Sequence, residues 1–253
     1  MRNNLASRRW VAREMNDPSP SYRDDAKLFS PDAVPPATRA ALVEQRLCRY
    51  GILPVVELED VNQADDLFAA LSAGGIAAAE ITLRTPDAAV ALERLIERHP
   101  DALLGAGTVR TIGDARRMVS IGASFVVSPG TDEEMIDYCL EHDVLVLPGV
   151  CTPTEVLRAL RVGARLLKFF PAEAAGGVGF LKALSGPFRE VSFVPTGGIS
   201  EDNLESYLRL PQVAACGGSW MVATELLAAG KFDEITERTR KALSIVKVVR
   251  GGR

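Results

Sequence analysis

From residue 52 onward the chain alternates between short apolar runs and longer stretches in which apolar residues return every three or four positions. The runs are ILPVVEL (52–58), AAEITL (78–83), LLGAGTV (103–109), FVVSPG (125–130), VLVLPGV (144–150), LLKFFPA (166–172), VSFVPTG (191–197) and VAACGGS (213–219). They are strand-sized and almost continuously apolar, as strands are when helices cover both faces of a parallel sheet. The intervening 3.6-residue period predicts amphipathic helices. Run starts recur every 19 to 26 residues, enough for one strand, one helix and two short loops. Eight such units predict an α/β fold, a single (β/α)8 TIM barrel. A doubly wound open sheet is the competing arrangement, but the first run lacks the Gly-rich turn into a helix that a dinucleotide-binding version carries.

Ahead of the first run, Leu42, Val43 and Leu47 fall on one helical face. They predict a lead-in helix from Ala37 to Arg49. Residues 1–36 read differently: Arg8-Arg9, Asp24-Asp25 and prolines 18, 20, 31, 35 and 36 interrupt every period, so a flexible tail is expected there. The expected organisation is therefore a tail over 1–36 and a barrel domain over 37–253. Glu14, Asp17, Asp24 and Asp25 argue against a transit peptide, no apolar segment marks secretion, and Met15 offers an alternative start.

With 47% hydrophobic and 25% charged residues, the composition is that of an ordinary globular protein. The apolar runs are too short to span a bilayer, so no membrane partner is expected. A net charge of −4, with arginines scattered along helices, argues against nucleic acid. Cys48, Cys139, Cys151 and Cys216 show no Cys-x-x-Cys spacing, which favours reduced thiols and a cytoplasmic setting. His99 and His142 each stand without a second ligand nearby, against a histidine-rich metal site.

Barrel sites lie at the C-terminal ends of the strands, and polar groups late in the runs are the ones to weigh. Lys168 sits within Leu166-Leu167-Lys168-Phe169-Phe170, where its ammonium would lose hydration. Such a lysine snorkels to the barrel mouth, pairs with a carboxylate or serves as a nucleophile. The chain holds 23 arginines and six lysines, and lysine alone of the two can shed its proton and attack a carbonyl. In the second run Glu80, Thr82 and Arg84 alternate with Ile81 and Leu83, so the polar set is expected to face the interior. There it forms either a site or a structural Glu80–Arg84 pair. Runs two and six are four apart in a ring of eight, which brings Glu80 and Lys168 to opposite walls of one mouth. Gly197-Gly198 and Gly217-Gly218-Ser219 follow runs seven and eight. Each doublet alone is an ordinary turn; together they occupy the loops where barrels commonly hold phosphate on backbone N–H groups.

These residues resemble the 2-keto-3-deoxy-6-phosphogluconate aldolases, which also act on 4-hydroxy-2-oxoglutarate. The matching stretches are EITLRT (80–85), GAGTV (105–109), SPG (128–130), KFFPAE (168–173), PTGGI (195–199) and GGSW (217–220), in the family's order. The resemblance implies a class I aldolase that forms a Schiff base on Lys168, with Glu80 moving protons, and yields pyruvate and glyceraldehyde 3-phosphate. It further implies that Arg84 and Thr108 hold the carboxylate, that Pro129, Phe170 and Thr196 line the pocket, and that Gly197, Gly198, Gly217, Gly218 and Ser219 surround the phosphate. No metal or cofactor is implied, and family members are usually homotrimers. Competing expectations are an aldolase for the 6-phosphogalactonate epimer, a phosphate-binding barrel isomerase or metal-dependent aldolase without an imine, and a catalytically silent trimeric scaffold.

Overall fold

The computed structural model describes residues 38–251; the tail expected over 1–36 lies outside them. Every apolar run contributes strand: β1 (Ile52–Val56), β2 (Ala78–Thr82), β3 (Leu103–Gly107), β4 (Phe125–Val127), β5 (Leu145–Leu147), β6 (Gly149–Val150), β7 (Leu166–Phe169), β8 (Ser192–Pro195) and β9 (Cys216–Gly218). The helices are α1 (Arg39–Tyr50), α2 (Ala64–Ala73), α3 (Ala88–Arg98), α4 (Ile112–Ser120), α5 (Glu133–Glu141), α6 (Pro153–Val162), α7 (Gly177–Ser185), α8 (Glu201–Leu208), α9 (Thr224–Ala228) and α10 (Phe232–Gly251). Their starts follow local chemistry. Thr111 and Asp132 cap α4 and α5, while α6 opens on a Thr152–Glu155 capping box with Pro153 in its first turn and ends on left-handed Gly163.

All strand pairs are parallel, in two sheets ordered β5-β4-β3-β2-β1-β9 and β6-β7-β8. The break between the two sheets falls within the fifth run. Pro148 has no N–H for a ladder, so it divides that run into β5, paired with β4, and β6, paired with β7. Its carbonyl still accepts from Lys168 N at 2.9 Å. At the other seam, bridges Phe193–Val213 and Thr196–Gly217 join β8 to the β9 segment. The outcome is an α/β fold with a curled parallel sheet. Strands β2, β3 and β4 are buried along their whole length, and Phe125, Phe169 and Phe193 are among the largest fully buried side chains.

The lead-in helix α1 forms where the pattern predicts it, and it lies across the N-terminal ends of the strands. Arg46 donates to Asp101 O ahead of β3, Arg39 donates to Gly122 O and Ala123 O ahead of β4, and Asp143 ahead of β5 accepts from the backbone N–H groups of Arg39 and Ala40. Val43 and Leu47 are its buried face.

Candidate active site

Strand β7 delivers Lys168 into the interior because its apolar neighbours Leu167 and Phe169 are fully buried. Register places Lys168 between Gly149 of β6 and Val194 of β8. From β2, Glu80 reaches it: Lys168 Nζ lies 3.2 Å from Glu80 Oε1, with the two residues 6% and 1% exposed. Expected on opposite walls, the two do meet. A pair this buried carries a large desolvation cost that its mutual attraction need not repay. Geometry reserved for such a pair therefore points to chemistry rather than stability. Lys168 Nζ also stands 5.3 Å from the Phe170 ring centre.

Room for Glu80 comes from β3. A Cβ on Gly107 would lie 2.2 Å from Glu80 Oε1, so only glycine fits opposite the carboxylate. The next residue, Thr108, holds φ 55°, a left-handed conformation rare for a β-branched residue and characteristic of functional sites. Its Oγ1 accepts from Arg84 Nε at 3.3 Å.

Arg84 departs from the strand alternation expected of it. Strand β2 ends at Thr82, and a tight turn with Arg84 N donating to Thr82 O carries the guanidinium to the cavity rim. The expected structural Glu80–Arg84 pair is absent, since Glu80 pairs with Lys168 and Arg84 Nη1 with Glu57 Oε2 at 3.0 Å. Thr82 is buried, its hydroxyl donating to Val56 O.

These groups open on a cavity of about 220 Å³ whose lining includes Glu57, Arg84, Lys168, Phe170, Thr196, Gly197, Gly198, Gly217, Gly218 and Ser219. Pro129 is exposed beyond the end of β4 and does not line it; Thr108 reaches it through Arg84. The second glycine doublet also differs from its expected place in a loop at a helix start. Gly217 and Gly218 end β9, a 3-10 turn over Trp220–Val222 follows, and α9 begins only at Thr224. Ser219 alone of the three is in the loop. Gly197 and Gly198, with φ 97° and 81°, do form the loop ahead of α8, where Ser200 and Asn203 make a capping box. Glu57 was missed by the reading of the sequence, although a carboxylate late in the first run was its signal. Thr82 and Ile199, the latter from the PTGGI stretch, also line the cavity, and Val55, Val222 and Thr224 complete the wall without any mark in the sequence that sets them apart. Among the described residues there is no group of three or more His, Cys, Asp or Glu able to hold a metal.

The site can be compared with known proteins. A family model described as KDPG and KHG aldolase matches residues 43–238. The 2-dehydro-3-deoxy-phosphogluconate aldolase of Treponema pallidum (strain Nichols) is 45% identical over 205 residues, 81% of this chain and 98% of the relative. That of Pseudomonas aeruginosa is 43% identical over 201 residues, covering 78% of this chain and 90% of the relative. A solved structure of the KDPG aldolase from Legionella pneumophila, with pyruvate captured at low pH as a covalent carbinolamine intermediate, superposes with a TM-score of 0.77 at 42% identity, over 79% of this chain and 97% of that one. Matched from the lead-in helix to the last helix, the chain belongs to the KDPG and KHG aldolase family.

Proposed function

We propose that this chain is a class I aldolase that cleaves 2-keto-3-deoxy-6-phosphogluconate to pyruvate and glyceraldehyde 3-phosphate through a Schiff base on Lys168. The observation that carries the reading is the buried contact of 3.2 Å between Glu80 and Lys168, a residue of the cavity wall. The relatives' names and the pyruvate carbinolamine of the Legionella aldolase support it.

As the free amine, Lys168 attacks the C2 ketone, and the carbinolamine loses water to give an iminium ion. Glu80 assists that dehydration. It then accepts the C4 hydroxyl proton as the C3–C4 bond breaks, with the bonding electrons drawn into the iminium to give an enamine. The aldehyde departs, Glu80 returns the proton to C3, and hydrolysis releases pyruvate and the amine. Arg84, held through Nε by Thr108 and through Nη1 by Glu57, presents Nη2 to the substrate carboxylate as a charge-assisted donor. Phe170 and Thr196 flank the carbon chain. The phosphate takes the backbone N–H groups of the Gly197–Gly198 loop, with Ser219 beside it.

The same reading extends to the barrel, the assembly and the compartment. The two seams of the curled sheet, at Pro148 and at the β8–β9 bridges, close an eight-strand barrel. The working unit is a homotrimer, and the compartment is the cytoplasm. The test is borohydride reduction in the presence of pyruvate. Mass added to the peptide containing Lys168 is expected, and label on Lys182 or on no residue would overturn the reading. A coupled assay with both C4 epimers and with 4-hydroxy-2-oxoglutarate then ranks the substrates.

A further inference from the structure

Behind the Gly197–Gly198 loop lies a polar contact that the chemistry above does not use. Tyr207, on the second turn of α8, is fully buried, and its hydroxyl donates to Glu173 Oε1 at 2.5 Å. Burial, followed by the adjacent Glu173 carboxylate, raises the Tyr207 pKa, which keeps the phenol protonated and a donor. Glu173 belongs to the turn that follows β7 and the cavity residue Phe170. Its backbone N–H donates to Gly197 O at 3.0 Å, and a Cβ on Gly198 would lie 2.6 Å from Glu173 Cβ. Thus the Glu173 segment packs directly against the loop, while its carboxylate is drawn off toward α8.

We infer that Tyr207 and Glu173 are positioning residues for the substrate phosphate. The hydrogen bond fixes the loop against the β7 turn, and it restrains a carboxylate whose free swing near the loop would repel a phosphate dianion. The inference rests on the functional reading above, since it assigns the phosphate to Gly197 and Gly198. A buried hydroxyl requires a partner for stability alone, so the test must separate the two roles.

Steady-state kinetics of the full chain make that separation. Tyr207→Phe is expected to raise KM for 2-keto-3-deoxy-6-phosphogluconate about 3- to 10-fold, the worth of one hydrogen bond, with kcat within about twofold. Proton exchange at the methyl group of pyruvate, which carries no phosphate, should keep its half-saturation. Glu173→Ala, which frees the loop but leaves no carboxylate to repel the phosphate, should raise KM less than Tyr207→Phe, Glu173→Gln, which retains an acceptor, less still, and the Tyr207→Phe/Glu173→Ala pair no more than Tyr207→Phe alone. Should Tyr207→Phe fail to fold, Glu173→Ala decides, because Glu173 is an exposed residue. Unchanged KM, equal losses for pyruvate and the phosphorylated substrate, or additive losses would overturn the inference alone. A wild-type chain without turnover would overturn the functional reading and this one together.

Discussion

The two ends of the curled sheet are built from the same strands and to opposite rules. At the C-terminal ends the costly features gather: a buried lysine against a buried glutamate and a threonine at φ 55°, beside a loop of two positive-φ glycines. At the N-terminal ends every notable contact satisfies something. Helix α1 closes that end; Arg250 of α10 donates to Cys48 O in the last turn of α1 and to Ala214 O ahead of β9. Asp143 accepts from the first amides of α1. Substitutions should therefore divide cleanly, with activity lost and stability kept at one end and the reverse at the other.

The most severe expected effect is at Lys168. Lys168→Arg keeps the charge beside Glu80 but has no amine to lose a proton, so pyruvate trapping by borohydride should vanish while the thermal transition stays near wild type. A variant that melts many degrees lower would mean the pair is structural, and the contrast between the ends would fail there. Next comes Glu80→Gln, which retains shape and hydrogen bonding without proton transfer. Turnover should fall by about 10² to 10⁴, and exchange at the pyruvate methyl group should fall with it, because both need a proton moved at C3. A destabilised variant with wild-type exchange at saturating pyruvate would make Glu80 a scaffold residue.

Much of this division can be read along the chain, and what cannot is non-local. A lysine flanked by Leu167 and Phe169 is conspicuous by itself, and the strand rhythm places it at a barrel mouth. Gly107, however, is needed only because the neighbouring strand sets Glu80 against it, a matter of register that one strand's pattern does not hold. The pairing of Arg84 with Glu57 depends likewise on where β2 ends: strict alternation extended past Thr82 carries Arg84 inward, whereas the turn takes it to the rim. Proline at 148 was legible as a residue without a donor, yet its consequence, a run divided between two sheets, appears only once β4 and β7 lie on either side. Tyr207 gave no signal, since a tyrosine on an apolar helical face reads as core until Glu173 is seen above its hydroxyl.

At the opposite end, Arg250→Met should leave kcat and KM unaltered and lower stability by about 1.5–3 kcal/mol, the range for hydrogen bonds from a charged donor. The loss arises because one accepting carbonyl lies in the last turn of α1, where a cation also complements the helix dipole. Chemical denaturation measures it; a kinetic defect of similar size would show that closure of this end is felt at the site.

The smallest expected effect is at Asp143, and its pH dependence gives it away. The backbone N–H groups of Ala40 and then Arg39 hold the Asp143 carboxyl below its usual range. A folded value below the unfolded one, about 3.9 for aspartate, means that the ionised form stabilises the fold. This contribution is present above the unfolded value and is lost as pH falls through the folded one. Asp143→Asn keeps an acceptor oxygen but carries no charge toward the N-terminus of α1, where a negative group is favoured. At neutral pH the variant should therefore melt slightly below wild type with unchanged kinetics. The gap should narrow as pH drops below about 4 and close once the wild-type carboxyl is itself protonated. Melting curves of both proteins across that range decide the matter: a gap independent of pH would mean that the shape of the cap, and not its charge, secures α1.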